Sequence, residues 1–306
     1  MAVTDERTHL RGSGITVGVP VPPSPRRGRR FRSGRRERPN WIAGVASIVW
    51  LIFVIVPIYV IVRNSVQSRD AYIEGGPLSP PNELTLEKFE QVLSGGFWTY
   101  LINTVIVTVA TVALTVGLAL PAAYAIVRSR SRLVGSMFRV FLLGLAIPAQ
   151  ACIIPIYLII IEMNLYDSLT AIVLPTVAFG LPLAVLVLTT VLRDVPRELY
   201  ESMTLDGAGA ARLLWNLAIP MSRAGLVTIS IYSALGAWNS FLFPLILTQS
   251  EDLRVLTVGL YDFRTQYGID VPALMAAVLL SALPIFVAYL FARRWLIAGM
   301  AGLGGK

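Results

Sequence analysis

Histidine, cysteine, lysine and charge in general are scarce in this chain, and each scarcity removes a class of function. The one histidine, His9, stands in the N-terminal tail outside every apolar run, so no histidine-based acid–base or metal site fits the apolar body. The one cysteine, Cys152, lies inside an apolar run, which excludes a disulfide framework and a cysteine metal site. Charged residues make up 14% of the 306 residues, against about 25% in average soluble domains. Apolar residues make up 55%, and the mean hydropathy is +0.68. This balance belongs to a membrane protein. At about 20 apolar residues per crossing, the length suffices for roughly six crossings with short loops.

The apolar runs predict spans at 41–62, 98–127, 138–160, 169–192, 225–247 and 271–292. Of the 26 Lys and Arg residues, 21 fall in the N-terminal tail, the 128–139 turn, the 193–223 loop and the C-terminus. The alternate segments carry only Arg63, Arg69, Lys88, Arg254 and Arg264. By the positive-inside rule both termini are cytoplasmic, as an even number of spans requires. Residues 1–40 form a Pro- and Arg-rich tail that reads as disordered, with orientation and contact to anionic lipid as its roles in preference to nucleic-acid binding. The apolar run after this tail is too long for a cleaved secretory signal. On the outer side, residues 64–97 begin as a Gly/Pro loop. Thr85 then offers a cap, and Leu86, Phe89, Val92 and Leu93 predict a short helix resting on the membrane surface.

No span carries Asp, Glu, Lys or His well inside it; Arg139 and Asp270 lie at span ends, within reach of water. Proton- and cation-coupled carriers ordinarily hold such groups at membrane depth, so their absence disfavours a gradient-driven carrier. Neutral polar groups are present: Asn103, Thr104, Gln150, Tyr157, Tyr232, Asn239 and Ser240. They serve either as interhelical hydrogen bonds or as a path for an uncharged, hydroxyl-rich solute. The C-terminal GMAGLGGK fails as a phosphate-binding loop, because Met300 stands where the first glycine belongs and no Ser or Thr follows Lys306. Uphill transport by this chain therefore needs an outside source of work.

The 193–223 segment is the one sizeable inward loop between spans. Pro196 with Glu198 and Glu201 suits a helix start, and Gly207 and Gly209 interrupt the helix a few residues on. Two short helices meeting at Asp206-Gly207 are expected, with Asp206 capping the second and Leu205, Ala208 and Arg212 along one line. The loop is either an amphipathic connector or a docking site for a partner.

Glu201-Ser202-Met203, three residues, Gly207, nine residues and then Leu217-Ala218-Ile219-Pro220 resembles the EAA loop of ABC importer permeases, whose pattern is E-A-A, three residues, G, nine residues, I-x-L-P. Ser202-Met203 departs from the Ala pair, and Leu217 and Ile219 exchange the Ile and Leu. Gly236-Ala237-Trp238-Asn239-Ser240-Phe241 with Pro244, the 263–268 and 274–277 runs, and Ile147-Pro148 with Ile154-Pro155 are similar to the smaller, six-span carbohydrate permeases of the maltose-permease kind.

The resemblance implies an all-α integral membrane fold of six transmembrane helices over 41–306, in a bacterial cell membrane. The coupling loop, 194–222, lies between spans four and five. The implied function is import of a sugar or oligosaccharide, with a polyol or glycerol phosphate as the alternative cargo. The chain itself is then no enzyme and binds no cofactor; ATP is used by a cytosolic ATPase dimer. A second homologous permease and an extracytoplasmic solute-binding protein complete the partners. Glu201, Leu205, Asp206, Gly207, Ala208, Arg212 and Pro220 form the implied coupling site. Asn103, Gln150, Tyr232, Trp238, Asn239 and Phe241 are candidates for the translocation path.

Overall fold

The computed structural model describes residues 41–75, 79–81, 83–265 and 268–303, with residues 264–265 and 292–303 described by backbone alone. The basic tail 1–40, the end of the C-terminal glycine run, parts of the 64–97 loop and Gln266-Tyr267 lie outside the described residues. The chain divides into two units, Met1–Ile52 and Phe53–Lys306.

In chain order the helices are α1 (Trp41–Ser65), α2 (Arg69–Glu74), α3 (Glu87–Ser94), α4 (Phe97–Arg128), α5 (Arg132–Leu143), α6 (Ile153–Glu162) and α7 (Leu169–Arg193). Next come α8 (Arg197–Leu205), α9 (Ala210–Leu213), α10 (Ile219–Met221), α11 (Arg223–Trp238), α12 (Leu242–Leu247), α13 (Leu256–Gly259) and α14 (Val271–Leu303). Two short strands, β1 (Arg264–Thr265) and β2 (Gly268–Ile269), pair antiparallel just before α14. Among the described residues four helices are long and apolar enough to cross a membrane: α1, α4, α7 and the Val271–Phe291 part of α14. Two bent pairs, Arg132–Ala146 with Ala149–Glu162 and Ala210–Met221 with Arg223–Trp238, raise the number to six if each is one span.

Both bends have local causes. The third predicted span turns by 93° at Ile147-Pro148. A proline ring disfavours helical geometry in the residue before it, and Ile147 is extended at φ −88°, ψ 113°. The fifth predicted span, 225–247, is likewise not one helix. Helix α11 ends at Trp238, where the Asn239 Nδ2 donates back to the Leu235 carbonyl at 2.8 Å, and α12 resumes after Phe241. At its other end α11 bends 80° from the preceding helical stretch, with the buried Ser222 hydroxyl donating to the Ala218 carbonyl at 2.6 Å.

Helices α4 and α7 form the centre of the core. Ala119, Leu120 and Ala123 face Ala184, Val185, Leu188 and Leu192, joined by Ala218 and Ile229. Within a bilayer, lipid tails match the apolar surface of a helix, so close packing of small residues is what favours the contact. Gly225 serves the same end: a Cβ there would lie 2.9 Å from Val191 Cγ2, so α11 approaches α7 more closely than any side chain permits.

Near the N-terminal end of α4, helix α3 packs on protein: Val92 and Phe97 meet Leu256, Ala276 and Ala277, while Leu86 stays exposed. One expectation here is corrected. Asp270 does not reach water. Its carboxylate is buried and accepts from Lys88 Nζ at 2.9 Å, and it receives the Ala273 N–H at 3.2 Å. Thr85 does engage the start of α3, accepting the Glu87 N–H at 3.2 Å.

Candidate coupling loop and translocation path

The loop between α7 and α11 carries its own small core. Val195, Tyr200, Ala208, Leu213 and Leu217 are buried together, with Tyr124 of α4 and Met203 against them. The tilted Tyr124–Tyr200 contact, 6.3 Å between ring centroids, fixes α8 beneath the end of α4. Burial pushes the Tyr200 phenol above its usual pKa; Tyr124 adds to the rise and Arg128 opposes it.

Helix α8 closes on Gly207 in the left-handed region, φ +79°. The Gly207 N–H reaches the Thr204 carbonyl at 3.0 Å, and the Ala208 N–H reaches back to Met203 at 2.9 Å. These paired bonds make a Schellman closure, which satisfies carbonyls that a helix end leaves open and demands a residue tolerant of positive φ. The glycine is there for its backbone: nothing lies within 4 Å of where its Cβ would be. After it, α9 begins with Gly209 at the cap position and no side-chain cap. The expected cap from Asp206 is therefore absent, because the Schellman turn separates Asp206 from the second helix by three residues.

Around this turn the side chains face solvent. Leu205 is 88% exposed, and Glu201, Asp206 and Arg212 are exposed as well, none of them in the three ion pairs of the described residues. Ala208 is buried, so it does not share a line with Leu205 and Arg212; the turn at Gly207 breaks the helical periodicity that such a line assumes. Leu214–Ala218 then widens into a π turn just before Pro220. A proline inside a helix removes one backbone donor and crowds the carbonyl four residues back, and a π turn relieves that crowding.

Of the proposed path residues, Trp238 and Asn239 share a cavity and the others stand apart. The buried Asn103 donates to the Asp252 and Arg254 carbonyls at 2.7 and 2.9 Å, which makes it an anchor for the 251–254 turn. Gln150 is exposed at the break between α5 and α6. Trp238 and Asn239 line one cavity of about 290 Å³, Tyr232 lines another, and Phe241 stacks on Tyr261 at 5.4 Å.

The cavity beside Tyr232 is rich in hydroxyl groups. It holds about 370 Å³, within the usual range of small-molecule sites, and Thr111, Thr115, Thr176, Ser233 and Ser240 share its wall with Tyr232. Thr111 and Thr115 are buried with hydroxyls that lack a partner. Helical threonines commonly donate to the carbonyl four residues back, as Thr176 does to Ile172 at 2.6 Å. The reading of the sequence missed these two. Their spacing with Thr108 along one face of α4 was the available signal, hidden by the ordinariness of threonine in an apolar helix.

Residues 114–301 match the family of binding-protein-dependent transport system inner membrane components. A protein of Caldicellulosiruptor sp. with a provisional ABC transporter permease name is 36% identical over 87% of this chain and 96% of its own length. The diacetylchitobiose uptake system permease protein NgcG of Streptomyces coelicolor is 31% identical, covering 86% of this chain and 87% of its own. Among solved structures, a chain of a bacterial ABC transporter that imports the acidic polysaccharide alginate superposes with a TM-score of 0.74 at 22% identity, over 86% of this chain and 99% of that one. That likeness is one of fold.

Proposed function

The chain belongs to the family of binding-protein-dependent transport system inner membrane components, a multi-pass membrane protein, and from that premise we propose that it is the permease subunit of an ATP-driven importer for a sugar or oligosaccharide. The relatives whose names specify a cargo support the sugar assignment: diacetylchitobiose, glucose and arabinooligosaccharide permeases. The hydroxyl-lined cavity beside Tyr232 suits a neutral polyhydroxylated solute, since unpaired threonine hydroxyls gain partners when one arrives. A glycerol phosphate would instead need cationic side chains or helix N-termini there.

The observation that carries the mechanism is the loop. Glu201, Leu205, Asp206 and Arg212 stand exposed around a turn whose backbone is fixed by Gly207, on a segment held to α4 by its own core. A cytosolic ATPase dimer docks there, and its ATP-driven closure moves the loop. The 80° joint at Ser222 passes that displacement to α11, whose Tyr232 and Ser233 line the cavity, with Ser240 just past its end. A second permease subunit completes the path, and an extracytoplasmic binding protein loads it from the side of α3. The orientation rests on the 21-to-5 division of Lys and Arg.

Gly207→Asp tests this in proteoliposomes containing the assembled transporter. The expected result is a permease that still inserts, with the ATPase loosened and sugar uptake lost. Normal uptake and assembly in that variant overturn the coupling assignment. Uptake that survives without ATP and collapses with an ionophore would instead mark a gradient-driven carrier.

A further inference from the structure

Where α4 and α7 end and α8 begins is a cavity of about 420 Å³ to which the coupling mechanism assigns no occupant. Its wall contains Arg128, Arg193 and Arg197, the apolar Ile126 and Val195, and Tyr200. No carboxylate lines it, and none of the ion pairs among the described residues involves its arginines. Two of the guanidiniums lie over rings: the Arg128 Cζ is 4.8 Å from the Tyr200 centroid and the Arg193 Cζ 5.8 Å from that of Phe138. Ring stacking holds a guanidinium plane in place while leaving its N–H edges available to an oxyanion.

Two further features point the same way. Tyr200 is 1% exposed, yet its hydroxyl has no partner, an uncommon state for a buried polar group. Helix α8 is nine residues long and starts at Arg197 with no side-chain cap, so the positive end of its dipole and open N–H groups lie beside the cavity. Arg128 and Arg193 also sit in the last turns of two membrane-length helices, where such helices leave the hydrocarbon for the headgroups. Ile126 and Val127, half-buried in the same wall, suit the start of an acyl chain below a headgroup.

We propose that this cavity binds the phosphate headgroup of an anionic phospholipid of the inner leaflet, with Arg128, Arg193 and Arg197 on the phosphate and Tyr200 donating its hydroxyl. The leaflet assignment rests on the proposed function and its orientation, with the coupling loop in the cytoplasm. Bound there, the lipid ties the ends of α4 and α7 to the first turn of the coupling helix, so the coupling segment responds to membrane composition.

The test uses the intact transporter in detergent, titrated with phosphatidylglycerol, phosphatidylcholine or inorganic phosphate, with bound lipid counted by native mass spectrometry. Phosphatidylglycerol is expected to be retained and phosphatidylcholine released. Arg193→Gln with Arg197→Gln should weaken retention about thirtyfold. Tyr200→Phe, which leaves the charge unchanged, should weaken it about fivefold. The exposed pair Arg130→Gln with Arg132→Gln, which does not line the cavity, should leave it unchanged. Equal losses in both arginine pairs would mean diffuse surface attraction and overturn the site. So would displacement of the lipid by inorganic phosphate, or arginine variants that release the ATPase with lipid retention intact. Orientation is checked separately by Ser129→Cys in a Cys152→Ala background. Labelling by an impermeant maleimide in intact cells would sink the orientation without touching the lipid count.

Discussion

The two ends of α4 are built on opposite plans. At its N-terminal end the charged groups are paired and most hydroxyls bonded, with the buried Gln67 amide left out. Lys88 meets Asp270, Tyr100 donates to Asp262 at 2.6 Å, Arg254 also pairs with Asp262, and the Thr104 hydroxyl accepts the Leu256 N–H at 2.9 Å. Arg63 joins in, donating to the Ser79 carbonyl and hydroxyl at 2.7 and 2.9 Å. At the C-terminal end, three arginines ring a cavity without carboxylates, and Leu205 protrudes into solvent. The first end has used most of its bonding capacity inside the chain. The second keeps its capacity for something outside, and the difference separates residues that hold the fold from residues that await a partner.

Substitutions can break or sharpen that contrast. The largest loss of stability is expected from Lys88→Met, which strands the Asp270 carboxylate in a buried site at a cost of about 3–5 kcal/mol. Chemical unfolding in lipid nanodiscs measures it, and adding Asp270→Leu should restore most of the loss. A single variant as stable as wild type would end the claim that this end holds the fold. Gly207→Ala should cost about 1 kcal/mol by forcing a Cβ into the left-handed region, and Gly207→Asn less, because asparagine tolerates that conformation. The same unfolding measurement ranks the two. Leu205→Ala should change stability by no more than about 0.5 kcal/mol while lowering ATPase association in pull-downs of the assembled transporter. A stability loss there comparable with Lys88→Met would erase the distinction.

The smallest effect concerns pH. Asp167, in the turn before α7, is held below its usual pKa first by the Ser250 hydroxyl and then by the Gln249 and Ser250 N–H groups. A carboxylate depressed in the fold contributes stability that is present above its unfolded value and is lost as pH falls through the folded one. The difference in melting temperature between wild type and Asp167→Asn should thus hold steady from neutral pH downward and shrink below about pH 4.

Runs of apolar residues made the crossings legible, because span length follows from bilayer thickness irrespective of packing. The breaks in the third and fifth predicted spans were written in Pro148 and in Asn239 with Ser240, but hydropathy averages over such residues and joins the pieces. The spacing from Glu201 to Pro220 located the loop, and Asp206-Gly207 marked its turn. Which side chains the turn would expose depends on the Schellman bonds, which periodicity does not register. The pairing of Lys88 with Asp270 joins residues 182 apart, and no local pattern reports a contact of that range. The failure of the six path residues to converge has the same origin: neutral polar groups anchor turns as readily as they line cavities, and only their neighbours tell which.

That long-range pair also has a consequence for synthesis, because its two halves are made far apart in time. Lys88 emerges early, in α3, whereas Asp270 immediately precedes α14. Until α14 is synthesised and inserted, the lysine lacks the aspartate that neutralises it, and the faces of α3 and α4 that meet Ala276 and Ala277 stand uncovered. A chain stopped short of Asp270 thus keeps a lysine without its carboxylate and an apolar face without its cover.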